Sequence, residues 1–139
     1  MSGTKFLLDT NVIIGLLKGH AASIALAEEA GLILGKAAVS QITRIELLGY
    51  PRLTVDEERD IRDFLNACEV CLLDESVEAE TIRLRKIGVF KLPDAIIAAT
   101  AIAKEMHLLT LDREMSRKLQ ELGHGTLLHH ESSQYTSDQ

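Results

Sequence analysis

Four carboxylates in this chain could do chemistry together if the fold brings them to one place: Asp9 in KFLLDTNVII, Glu46 in TRIELLGY, Asp94 in LPDAIIAATAIA and Asp112 in HLLTLD. Asp9 is the most telling, because it interrupts an apolar stretch and an isolated charge is costly to bury. Like charges gathered in one cleft push one another towards the protonated form unless something compensates them. Oxygen-preferring divalent cations are the natural compensation, since Mg²⁺ and Mn²⁺ take carboxylates and water and need no His or Cys. Two such ions held roughly 3.5–4 Å apart can activate a water and stabilise the leaving oxygen in phosphodiester hydrolysis. The residue types therefore point to metal-assisted cleavage of a nucleic acid, provided that the fold gathers them.

Taken singly, most of these acids also have a local structural reading. Asp94 suits the first turn of a helix, where the macrodipole favours a negative charge. Asp112 suits the N-cap of the REMSRKLQELG segment. Glu46, two positions from Arg44, suits a solvated helix face. Convergence at one edge is what separates the chemical reading from these.

The elements that must position the four follow from hydrophobic periodicity. KFLLD (5–9), KAAVS (36–40), EVCLLD (69–74), HLLTLD (107–112) and TLLHH (126–130) read as short strands. Between them lie helical patterns: NVIIGLLKG stopping at Gly19, AASIALAEEAG closing at Gly31, QITRIELLGY ended by Pro51, ESVEAETIRLRKIG ending at Gly88, and REMSRKLQELG. TVDEERDIRDFLNAC opens with Thr54 and carries Glu57 three positions on, a capping box. LPDAIIAATAIAKEM places Pro93 in a favoured first-turn position. Strands alternating with helices predict an α/β fold with a mostly parallel sheet of four or five strands and helices on both faces. In such folds the ligand site lies at the carboxyl ends of the strands, where the strand order reverses. Asp9 and Asp112 end two strands, Asp94 opens a helix, and Glu46 lies about two turns past KAAVS, so all four share that edge.

Bulk properties set the frame. The chain has 139 residues, 46% of them hydrophobic, with no Trp and 4% aromatics, which favours helices on a small sheet over an aromatic-rich sandwich. One domain over residues 1–130 is expected, with 131–139 (ESSQYTSDQ) as a polar, frayed tail. With 15 Lys+Arg against 21 Asp+Glu the formal charge is −6. That balance argues against a general nucleic-acid-coating surface and leaves room for a local basic patch. The start lacks a secretory signal, and the longest apolar run, AIIAATAIA at 95–103, is too short to span a bilayer. A cytoplasmic protein with no membrane partner is expected. Cys68 and Cys71 form CEVC without a second Cys pair, and they read as small apolar residues leading into a strand.

LLDTNVII, VSQITRIELLGY, LPDAIIAATAIA and LLTLD, in this order and spacing, resemble the PIN domain, and more closely the VapC-type toxins of bacterial type II toxin–antitoxin modules. The resemblance runs from about Lys5 to Leu128. It implies a three-layer α/β/α fold around a central parallel sheet and an endoribonuclease dependent on Mg²⁺ or Mn²⁺. Carried over by motif, Asp9 and Asp94 are the acids most directly tied to metal, while Glu46 and Asp112 act more often through water. Asn11 matches the Asn of DTN, with the role of orienting Asp9; capping the first helix is an equally compatible role. Ser40 and Thr110 match small hydroxyl positions lining the site. The family often carries Asn at the position of Asp112, and Glu114 is near enough to substitute or add a ligand.

The resemblance further implies a cognate VapB-like antitoxin over the acidic cleft and a homodimer, for which the apolar segments near 12–17 and 24–34 offer surface. Arg83, Arg85, Lys86 and Lys91, in TIRLRKIGVFK just before Asp94, are candidate RNA contacts. Two other classes remain alongside. A Mg²⁺-dependent phosphatase of another α/β fold would want a second Asp two residues after the first, where this chain has Asn11. A PIN-like binding module without activity would have little use for all four acids.

Overall fold

The computed structural model describes residues 5–124 and the backbone of 126–128. Its element order follows the alternation in the sequence. Strands β1 (Phe6–Leu8), β2 (Ala37–Ser40), β3 (Glu69–Cys71), β4 (His107–Thr110) and β5 (Thr126–Leu128) form one sheet in the order β3-β2-β1-β4-β5. All pairings are parallel, with Leu7 opposite both Ala38 and Leu108, and Val39 opposite Val70. From β1 the chain builds outward to β2 and β3, then returns to the other side of β1 with β4 and β5. The order therefore reverses between β1 and β4, and a crevice opens there at the carboxyl edge.

Two helical layers cover the sheet. Helices α1 (Thr10–Leu17), α2 (Ala21–Ala30), α3 (Gln41–Leu48) and α4 (Val55–Asn66) supply Val12, Ile13, Leu26, Leu47, Ile61 and Leu65, which close over Leu8, Val39 and Leu109. Helices α5 (Glu75–Ile87), α6 (Leu92–Ala103) and α7 (Arg113–Glu121) supply Val77, Leu84, Ala98, Met115 and Leu119, which close over Leu7, Ala38 and Leu108. The sheet residues alternate between the two cores with period two, as pleating requires. Because both faces are covered, β1 and β4 read as continuous apolar runs. The three-layer α/β/α expectation is met.

Local chemistry sets the ends of the elements. Thr54 Oγ1 accepts from Glu57 N at 3.0 Å and Glu57 Oε1 accepts from Thr54 N at 3.0 Å, so the capping box forms as read. Gly31, at φ 63°, closes α2 in the left-handed conformation that suits glycine. Several elements are shorter than the periodicity predicts, three of them for a visible local reason. β3 stops at Cys71, because Asp74 N donates to Leu72 O at 2.9 Å and this tight turn lets Asp74 cap α5. The helix from Leu92 stops at Ala103 and is followed by Glu105 at φ 57°. β4 stops at Thr110, two residues before Asp112. Cys68 is half-buried and Cys71 buried, both free thiols, and burial raises the Cys68 thiol to about 11. A redox pair needs the opposite shift, so both behave as core residues. His129, His130 and the expected tail 131–139 lie outside the described residues. Among the described residues, no single helix is long and apolar enough to cross a membrane.

Candidate active site

Asp9 is the first residue after β1 and the N-cap of α1. Its Oδ1 accepts from Thr10 N at 2.8 Å, and its Oδ2 accepts from Thr110 Oγ1 at 2.7 Å and, more weakly, from Asn11 Nδ2 at 3.4 Å. Only 6% of the residue is exposed, so Asp9 is more deeply set than a carboxylate at a strand mouth would be. Burial raises its carboxyl to about 6, against the hydrogen bonds from Thr110 and Thr10, with the charges of Asp94 and Asp112 adding to the rise. Three donors do not offset the lost solvation.

The other three acids reach the same cleft by different local devices. Asp94 lies in the first turn of α6, after Pro93, and is half-buried. Burial and the nearby Asp112 charge raise its carboxyl, while Lys118 and Lys91 pull it down. Asp112 is the N-cap of α7 rather than the end of β4. Its Oδ1 accepts from Glu114 N at 2.9 Å and Met115 N at 3.2 Å, and its own N–H donates to Thr110 Oγ1 at 2.9 Å. The capping reading of Asp112 therefore holds together with its place in the cleft. Glu46 projects from α3 and accepts from Thr10 Oγ1 at 2.8 Å.

The last contact belongs to a hydroxyl relay that the sequence gives little reason to expect. Thr10 spends its only hydroxyl proton on Glu46, so Thr43 must donate to Thr10 at 2.9 Å, and Ser40 donates to Thr43 at 3.1 Å. Ser40 is itself the N-cap of α3, accepting from Thr43 N at 3.2 Å. It thus supports Glu46 through two threonines and does not line the cleft itself. Thr10 inside DTN and Thr43, three residues before Glu46 on the helix, were the missed positions; the i, i+3 spacing is the one signal for Thr43. Asn11 does not cap α1, because Asp9 does. Its Nδ2 reaches Asp9, and its Oδ1 accepts from Leu111 N at 3.3 Å, tying α1 to the loop after β4.

Asp9, Glu46, Asp94 and Asp112 line one cleft of about 490 Å³ with Thr10, Asn11, Ile14, Gly49, Tyr50, Pro51 and Ile97. The structure brings the four acids together. Glu114 is not among them: it is exposed and paired with Arg117 at 2.7 Å. Within the basic segment, two of the four side chains are engaged in other contacts. Arg83 is paired with Glu80, and Arg85 donates to Phe90 O at 2.7 Å, which holds the α5–α6 loop. Lys86 is exposed in the last turn of α5, and Lys91, the N-cap of α6, is the one of the four whose charge acts on Asp94. Lys118 acts on Asp94 as well, while its ammonium donates to Val89 O at 2.7 Å and lies 5.5 Å from the centre of the Phe90 ring.

The donor set fits a hard divalent cation: oxygens only, one of them buried with a raised affinity for protons. Among the described residues, no three His, Cys, Asp or Glu side chains are drawn tightly enough to enclose an ion alone. An ion here would take its remaining ligands from water or phosphate, the habit of Mg²⁺.

A five-stranded parallel sheet between two helical layers, with an acidic cleft at its switch point, is the architecture of a nuclease class that generally uses divalent metals. The chain belongs to the PIN domain family, which it matches over residues 6–119. Among solved structures it is similar to a toxin–antitoxin complex from Klebsiella pneumoniae, at 28% identity and a TM-score of 0.67, covering 78% of this chain and 87% of that one. It is similar to FitAcB from Neisseria gonorrhoeae at 27% identity and a TM-score of 0.65, covering 79% and 89%. It shares the fold of VapBC-1 from nontypeable Haemophilus influenzae, at 22% identity and a TM-score of 0.68, covering 88% and 95%. No curated protein matches the chain significantly in sequence.

Proposed function

We propose that this chain is a Mg²⁺- or Mn²⁺-dependent endoribonuclease and the toxin of a VapBC-like toxin–antitoxin pair. The observation that carries the reading is the gathering of Asp9, Glu46, Asp94 and Asp112 around one cleft, with Asp9 buried against Thr110. The likeness to a Klebsiella pneumoniae toxin–antitoxin complex supports the toxin half of it. In this reading Asp9 and Asp94 hold the cation, Asp112 and Glu46 set the outer charge of the cluster, and Thr110, Asn11 and Thr10 fix the rotamers. Bound there, the cation supplies charge neutralisation and activation of water towards an in-line phosphate. Lys91 stands by Asp94 to meet a backbone phosphate of the RNA. A cognate VapB-like antitoxin and a second copy of the chain are the protein partners. Exposed Leu17, Ile24, Ile33 and Leu34 on and after α1 and α2 are available to the latter.

Asp9→Asn and Asp94→Asn keep size and remove charge. Each is expected to lower Mg²⁺-dependent cleavage of an RNA by 100-fold or more, while circular dichroism and gel filtration remain those of the wild type, an effect on the order of 3 kcal/mol in transition-state stabilisation. Wild-type rates in the Asp9→Asn chain would falsify the assignment.

A further inference from the structure

The cleft mixes two kinds of lining: the carboxylates of Asp9, Glu46, Asp94 and Asp112, and the apolar or aromatic side chains of Ile14, Tyr50, Pro51 and Ile97. The chain has three Phe, two Tyr and no Trp. Phe90 is buried, and Phe6 and Phe64 are partly buried against the core. Tyr50, 60% exposed, is the one large aromatic side chain left open to solvent among the described residues, and it stands in the wall of the cleft. It also borders the adjoining groove, where Lys18 and Arg52 are lining residues. An exposed ring at such a position costs hydration and contributes nothing to the core.

The backbone on either side of Tyr50 is constrained. Gly49 caps α3, its N–H donating to Ile45 O at 2.8 Å, and a Cβ at Gly49 would stand 2.8 Å from that same carbonyl. Pro51 restricts Tyr50 to extended conformations. Arg52 follows at φ 65°, a left-handed conformation that a side chain adopts only where its surroundings enforce it. The turn that presents Tyr50 is thus fixed on both sides.

A nucleotide matches this mixed lining: a charged phosphate for the carboxylates and a cation they would hold, a flat base for the exposed ring. We infer that Tyr50 is a substrate-positioning residue, a stacking platform for an unpaired RNA base beside the scissile phosphate. The inference rests on the ribonuclease reading and sharpens it, because a base stacked on a side chain cannot at the same time be stacked in a helix.

The test compares wild type, Tyr50→Ala and Tyr50→Phe on a fluorescently labelled single-stranded RNA and on the same strand annealed to its complement, with Mn²⁺ present. Stacking predicts that Tyr50→Ala raises KM by about 10-fold or more with kcat nearly unchanged, that Tyr50→Phe behaves as wild type, and that the duplex is cut poorly by all three. A second readout needs no turnover. In an Asp94→Asn, Tyr135→Phe background Tyr50 is the only intrinsic fluorophore of its kind, and stacking quenches it as single-stranded RNA is added. If wild type cleaves RNA but Tyr50→Ala cleaves single strands equally well, the inference is overturned while the nuclease reading stands. Unchanged cleavage together with lost binding of a protein partner assigns Tyr50 to docking and likewise overturns it. If wild type cleaves no RNA, the nuclease reading fails first and this inference with it.

Discussion

Asp9 carries the clearest conflict between stability and chemistry. Its carboxyl sits at about 6, raised from 3.8 first by burial and then by the charges of Asp94 and Asp112. A folded-state value above the unfolded one means that the folded chain binds the proton more tightly. The stabilisation is full below about pH 4 and is lost as pH rises through about 6. A shift of this size is on the order of 3 kcal/mol. In the metal-free protein, Asp9→Asn is therefore expected to be more stable than wild type at pH 7 by a few kcal/mol, with the two converging near pH 4. Urea melts across that range measure it, and parallel pH profiles for the two chains would refute it. Much of this was open to inspection in KFLLDTNVII, where an acid follows an apolar run. The depth of burial was not, because it depends on Thr110, which is 101 positions away in the chain. The Ser40–Thr43–Thr10–Glu46 relay was hidden for the same reason: hydroxyls give no periodic signal, and only tertiary structure brings Thr10 to Thr43.

The elements were more legible than the contacts between them. Each of the five strands falls where an apolar run predicts one; in β1, β2 and β4 this is because a strand buried on both faces leaves a run that no solvated loop would carry. What periodicity missed were the ends, and side-chain capping decided those. Asp74 and Asp112 each cut a strand reading short because a helix N-terminus needed them more. Close approach between helices is equally invisible to pattern. Gly15 in α1 lies under Ser23 of α2: a Cβ at Gly15 would stand 1.8 Å from Ser23 Oγ and 2.8 Å from its Cβ. Ser23 is fully buried and its hydroxyl has no partner among the described residues. Alanine improves helix propensity by roughly 0.8–1.0 kcal/mol over glycine. Here overpacking outweighs it, so Gly15→Ala is expected to destabilise by about 1–3 kcal/mol. Combining it with Ser23→Gly should recover part of the loss, a coupling that a double-mutant cycle by denaturant melts reads directly. Purely additive effects would mean that α1 and α2 separate without strain.

For the whole molecule, the parallel sheet explains why distant acids meet. Reversal of the strand order between β1 and β4 leaves a gap at the carboxyl edge, and the helices after β1, β2 and β4 start beside it. Asp9, Glu46 and Asp112 arrive on those three helices, and Asp94 on the helix that precedes β4. The fold thus gathers negative charge in a chain whose net charge is already −6, and that charge works against compactness. A bound divalent cation relieves it and, by binding the folded state alone, adds stability that depends on its concentration. At about 100 times its dissociation constant the ion contributes roughly 2.7 kcal/mol. For a chain of this length that is a rise of roughly 5–10 °C in Tm. Thermal melts at pH 7.5 with Mn²⁺ or Mg²⁺, against NaCl at equal ionic strength, should show the rise only with the divalent ion. The same titration at pH 4.5 should show little, because Asp9 is then protonated in the folded chain. Asp94→Asn should lose most of the shift at either pH. An equal rise in that variant would place the ion elsewhere on the acidic surface and remove the cation from the cleft chemistry.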